Sequence, residues 1–276
     1  GFFMMVAVLN IIQNYIVYRF INSNVEVKWW PLSIFIYLFV TGFYLMSFSM
    51  MRQMFVVIVF LGMWKYIIQC KWWIPLIVLY LCSYVHGSAI LLLPFAFWGI
   101  IPMDKAKYVG VGYAVLLVML WLFQDTLSYI FQFAMSLDDG FSEYADRYEN
   151  GEKGLKLGLG FIVNMIPFAL SIIFLLSKKN NYSYQTKSLV ALSAISFLIT
   201  PFGQIIRLVS RLGFYFGIFG LASIPLIYGN IKNRTMRLGL LSIYILITLY
   251  DYYLFFADSV FSEKYSSFHT IFSQIF

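Results

Sequence analysis

The stretch from Ser47 to Pro94, SFSMMRQMFVVIVFLGMWKYIIQCKWWIPLIVLYLCSYVHGSAILLLP, decides the fold. Two polar interruptions divide it, Arg52-Gln53 and His86-Gly87-Ser88. Between them run two apolar segments of near-membrane length, with Lys65 and Lys71 at their junction. The core of a soluble domain is not patterned this way. An all-α, polytopic membrane protein with a polar site near one face is.

Composition outside this stretch agrees. The 276-residue chain is 62% hydrophobic and 11% charged, less than half the charged share of an ordinary soluble domain, roughly 25%. Its net charge of +7 is explained by membrane topology, so nucleic acid is not read as a partner. Cys70 and Cys82 are too few for a disulfide scaffold, and with only two histidines no zinc-ligand spacing exists. The reading therefore carries no metal and no cofactor. The chain opens Gly1-Phe2-Phe3, without an initiator Met and already inside an apolar run; the expectation is that further residues precede it.

Apolar segments fall at about 2–20, 31–50, 52–70, 72–86, 87–102, 108–134, 158–177, 188–206, 211–230 and 238–256. At 1.5 Å per residue, those near 20 residues cross a hydrocarbon layer of roughly 30 Å. This predicts about ten transmembrane helices in one domain, residues 1–276. A hydrophilic loop at about 138–157 and a C-terminal tail, 257–276, would lie outside the membrane, and an interfacial helix is expected in the tail. Segments 72–86 and 87–102 are either one helix, too long for the membrane, or a hairpin bent at His86-Gly87.

Charge separates these alternatives. With the hairpin, and the loop at Lys178-Lys179 in the cytoplasm, one side holds Arg19, Lys28, Lys65, Lys71, Lys105, Lys107, Lys178, Lys179, Lys187, Lys232, Arg234 and Arg237 against Glu26 and Asp104. That side carries about +10 and the other about −3, as the positive-inside rule requires. The single helix would flip everything before residue 72 and leave the basic residues nearly even. The hairpin is the expected topology, and it places Arg52, His86, Arg147, Arg207 and Arg211 together on the extracytoplasmic side.

Arg207, Arg211 and Tyr215 are spaced i, i+4, i+8 and share one helix face. Pro201-Phe202-Gly203 just before them can break the chain and expose a helix start, which with two guanidinium groups makes a receptor for a diphosphate. The competing reading is that both arginines snorkel to lipid headgroups. Arg52, followed by the neutral donor and acceptor Gln53, has the same two readings. His86, with an unperturbed pKa of about 6.5, suits a general base, or else is a hydrogen-bonded structural residue at a helix end. The mixed charge of the loop around Tyr144-Ala145-Asp146-Arg147-Tyr148 reads first as a solvated surface. Asp251, inside the last span, needs a partner, for which Arg207 or Arg211 are the candidates. No fixed-period repeat is present, so an inverted-repeat transporter finds no support.

Arg52-Gln53 opening an apolar helix, His86-Gly87-Ser88-Ala89 heading another, a loop Tyr with basic neighbours, and Arg211-Leu-Gly-Phe-Tyr215-Phe216 with Pro225 beyond form an ordered series. This series resembles the EpsG family of bacterial polysaccharide polymerases, relatives of Wzy-type O-antigen and capsule polymerases, over about residues 2 to 256. The resemblance implies a GT-C-type glycosyltransferase of the bacterial inner membrane, working at the outer leaflet. Such an enzyme moves a growing glycan from undecaprenyl diphosphate onto a new lipid-linked repeat unit. Its partners would be undecaprenyl-diphosphate-linked oligosaccharide, membrane lipid, and flippase and chain-length regulator proteins. On this reading His86, Arg211 and Arg52 are catalytic, while Gln53, Ser88, Tyr148, Arg147, Arg207 and Tyr215 bind substrate. Four arginines supply cations for the leaving diphosphate without a metal.

Two alternatives use the same residues differently. A glycan ligase would join the same donor to another acceptor. A flippase or other transporter would want a polar path through the membrane, whereas the ionisable groups here gather on one side.

Overall fold

In a computed structural model, residues 2–40, 42–126, 129, 158–177, 182–204 and 207–257 are described, and among them every regular element is helical. The helices are α1 (Phe2–Asn24), α2 (Trp30–Phe39), α3 (Met46–Ser49), α4 (Met51–Ile68), α5 (Trp73–Ser83), α6 (Ala106–Leu122), α7 (Leu159–Leu176), α8 (Tyr184–Ile199), α9 (Arg207–Gly217), α10 (Gly220–Gly229) and α11 (Arg234–Ala257). A 3-10 helix, Gly87–Ile100, follows α5. Among the described residues, five stretches are long and apolar enough to cross a membrane: Met4–Asn24, Met51–Ile68, Met103–Leu122, Tyr184–Gly203 and Arg234–Ala257. Five shorter apolar segments, among them Trp73–Ser83 and Gly87–Ile100, complete the bundle.

The 72–102 region is a hairpin. Trp72, before α5, stacks on Phe97, near the end of the 3-10 limb, with centroids 5.3 Å apart and planes 27° from parallel. The Cys70 thiol donates to the Gly99 carbonyl at 3.2 Å. Such contacts between the two ends require the chain to run out and return. Gly99 is obligatory at this foot: a Cβ there would lie 2.0 Å from the Ile67 carbonyl oxygen, closer than any side chain could be accommodated.

Two of the expected spans are broken. The segment 31–50 ends as a helix at Phe39, where Val40 turns extended (φ −74°, ψ 112°), and a separate short α3 follows. The segment 211–230 is two helices, α9 and α10, interrupted at Ile218 and Phe219. Burial drives the second break. The Phe219 ring is fully buried and lies edge-on to Phe60 at 5.3 Å and to Phe20 at 5.9 Å, and 5.3 Å from Trp64. Edge-to-face rings add about 0.5–1.5 kcal/mol per pair beyond their area, enough to fix a kink in a Gly217–Gly220 neighbourhood. The core is formed by α4, α8 and α10, while α6 and α11 run along the periphery with mostly exposed apolar faces.

Candidate functional site

The hairpin apex is organised by the backbone of His86. Its N–H donates to the Cys82 carbonyl at 3.0 Å and closes the last turn of α5. Its own carbonyl accepts from the Ala89 N–H at 2.9 Å and opens the 3-10 limb. Between these bonds His86 is extended, at φ −150° and ψ 113°. The reversal rests on this residue more than on Gly87, which is exposed and has nothing within 4 Å of a built Cβ. The His86 side chain is half-buried.

Ser88, in the first turn of the 3-10 limb, meets α9: its hydroxyl oxygen lies 2.6 Å from the Tyr215 hydroxyl oxygen. Tyr215 is wholly buried. Below this contact α9 descends along the hairpin and α4, with Phe216 4.6 Å from Phe95 and 6.3 Å from Phe60. Since Phe219 then reaches Trp64, α9 points its C-terminus toward the hairpin foot. Its first turns therefore stand at the apex end. At 1.5 Å per residue, Arg211 and Arg207 are placed roughly 6 and 12 Å beyond Tyr215 along the helix axis.

Helix α4 runs antiparallel to α5, so its N-terminus is at the apex end as well. Arg52, its second residue, is exposed, and Gln53 turns inward, 4% exposed. The Arg52-Gln53 pair, the His86-Gly87-Ser88 apex and the start of α9 thus lie at one end of the bundle. Arg147 and Tyr148, with the whole 138–157 loop, lie outside the described residues, as does the tail from 258. The same holds for the side chains with which Asp251 was expected to pair; Asp251 itself is half-buried on α11. Among the described residues no group of three or more His, Cys, Asp or Glu could hold a metal ion.

Two features escaped the sequence reading. Gly213 and Gly217, one turn apart, let α8 approach closely: a Cβ at 213 would lie 2.4 Å from Thr200 Oγ1, and one at 217 would lie 2.9 Å from Ser196 Oγ. The signal was present as a G-x-x-x-G spacing in an apolar helix. The second is a cleft between α1, α3 and α4, lined in part by Asn10, Gln13, Ser47, Met51 and Phe55. Gln13 is buried there and donates to the Tyr37 hydroxyl at 2.8 Å.

Apolar helices of membrane-crossing length and a polar cluster at one end define an integral membrane protein. The EpsG family pattern matches residues 1–269. The chain belongs to the EpsG family, membrane proteins of the Wzy-type, exopolysaccharide polymerase-like kind. No curated protein and no solved structure is significantly similar to it.

Proposed function

We propose that this protein polymerises undecaprenyl-diphosphate-linked oligosaccharide repeat units, transferring the growing glycan to a new lipid-linked unit at the outer leaflet. The observation that carries the reading is the Ser88–Tyr215 contact, 2.6 Å long. It joins the turn bearing His86 to the helix bearing Arg207 and Arg211, in a member of a polymerase-like family.

In the proposed step an acceptor sugar hydroxyl oxygen attacks the anomeric carbon of the donor glycan. The new glycosidic C–O bond forms as the bond to the diphosphate oxygen breaks. The His86 imidazole takes the hydroxyl proton, and undecaprenyl diphosphate leaves with the bonding pair. Diphosphate is a good leaving group and needs charge more than it needs an acid. Arg211, Arg207 and Arg52 meet that need by charge-assisted hydrogen bonds, with Arg147 from the outer loop. Gln53 positions sugar hydroxyls beside them. Ten passes through the membrane, a GT-C-type arrangement and an extracytoplasmic apex complete the proposal, supported by the distribution of Lys and Arg along the chain.

The test is purified protein in vesicles with one lipid-linked repeat unit as the only sugar substrate. A ladder of products is expected. Transfer only when a foreign acceptor is added would make the protein a ligase. Movement across the bilayer without new glycosidic bonds would make it a transporter. Cysteines placed at 52 and 71 and labelled in intact cells give the orientation: 52 is expected to react with an impermeant reagent and 71 to be protected.

A further inference from the structure

The Tyr215 hydroxyl sits where no substrate reaches it. The residue is 0% exposed, and its oxygen is engaged by Ser88 at 2.6 Å. On one side of this bond is a stiff turn. Ser88 follows His86 by two residues, and the His86 carbonyl is tied to the N–H of Ala89, itself wholly buried. A shift of Ser88 therefore carries His86 with it. On the other side is an immobilised helix. Gly213 and Gly217 flank Tyr215 and press α9 against Thr200 and Ser196 so closely that neither position has room for a Cβ. Arg211 stands one helical turn before Tyr215 on the same stripe. Ser88 is half-buried, but Tyr215 has no solvent to turn to, so breaking the bond strands the Tyr215 hydroxyl.

We infer that Tyr215 is a positioning residue: its bond to Ser88 fixes the distance between the base at the hairpin apex and the cations on α9. Tyr215 and Ser88 then act on each other and through His86, not on the sugar. This rests on the polymerase reading above for the roles of His86 and Arg211, although the latch itself is a property of the fold.

The experiment compares Tyr215→Phe, Ser88→Ala, the double variant and Ser88→Thr in the vesicle assay. Each single variant is expected to lower kcat about tenfold while KM for the lipid-linked unit stays within about twofold. One bond can be lost only once, so the double variant should be no slower than the slower single one. Ser88→Thr, which keeps the hydroxyl, should recover most of the rate. Multiplying effects in the double variant, or a change confined to KM, would show two independent substrate contacts and overturn the proposal. Unchanged rates would overturn it too. A second arm does not depend on activity. In a Cys70→Ser, Cys82→Ser background, His86→Cys is labelled with maleimide in the presence and absence of Tyr215→Phe. Severalfold faster labelling in the Phe variant is expected; equal rates would refute the latch. If the unaltered protein makes no ladder, the polymerase reading fails, and the labelling arm alone decides whether Tyr215 holds the apex.

Discussion

At the foot of the hairpin, Asn24 Oδ1 accepts from Trp64 Nε1 at 3.2 Å and from Gln185 Nε2 at 2.6 Å, tying α1, α4 and α8. The Tyr184 hydroxyl, at the start of α8, reaches the carbonyls of Gly99 and Trp98 at 2.7 and 3.1 Å. At the apex the chain repeatedly leaves regular helix instead. It breaks after α2, reverses at His86, and passes through a 3-10 turn, Thr200–Gln204, before α9. One end is stapled across helices by several side chains, and the other is built from helix ends joined by the Ser88–Tyr215 bond. Ends carry free backbone donors and acceptors and can aim side chains at a ligand. If the apex is the site of the proposed transfer, substitutions at the two ends should fail in different ways.

The largest effect is expected from His86→Ala, which should slow polymerisation by about 10²–10⁴ while leaving the lipid-linked donor bound. Near-normal ladders would return His86 to a structural role. Arg211→Ala should cost about 10²–10³ in rate and weaken donor binding as well, because the same charge serves the bound diphosphate and the leaving group. Arg211→Lys should restore little, a point charge being no substitute for the guanidinium fork. At the other end the signature reverses. Gly99→Ala must push the chain off the Ile67 carbonyl, and should destabilise the protein by about 1–3 kcal/mol; ladder formation per folded molecule should be retained. Asn24→Ala, which strands two donors, should lower stability by roughly 0.6–2 kcal/mol in detergent melts, again with activity per folded molecule kept. If the foot variants abolish catalysis at full stability, the two ends are not separate.

The sequence carried the coarse plan because charge and hydropathy report on membrane crossing directly. The hairpin at His86 was readable from the partition of Lys and Arg, which only a bend there leaves strongly one-sided. The breaks at Val40 and at Ile218-Phe219 were not, because they fall inside apolar runs and are set by tertiary partners: Phe214 over Gly42, and Phe60 and Trp64 around Phe219. Nor did the text distinguish an α-helix from the 3-10 limb, whose apolar content is the same. Within the site, residue types and spacings pointed to His86 and to the i, i+4 stripe on α9. The partnership of Ser88 with Tyr215 spans 127 positions, and nothing local in either segment encodes it.

The two limbs of the hairpin also fix a height. From Gly87 to Phe97 the 3-10 limb rises roughly 20 Å at about 2.0 Å per residue. The α-helical limb between Trp72 and Val85 covers the same roughly 20 Å at 1.5 Å per residue. Different windings, with unequal residue numbers, thus bring their ends level at the Trp72–Phe97 stack. A hydrocarbon layer is about 30 Å deep, so a hairpin standing with its foot at one interface stops roughly 10 Å short of the other. The histidine would then lie at the bottom of a well in the membrane, and a sugar chain would have to be lowered to it. In the proposed transfer, a reactive group in such a well would meet an acceptor carried down on a lipid anchor before bulk water, favouring a sugar hydroxyl over water as the acceptor.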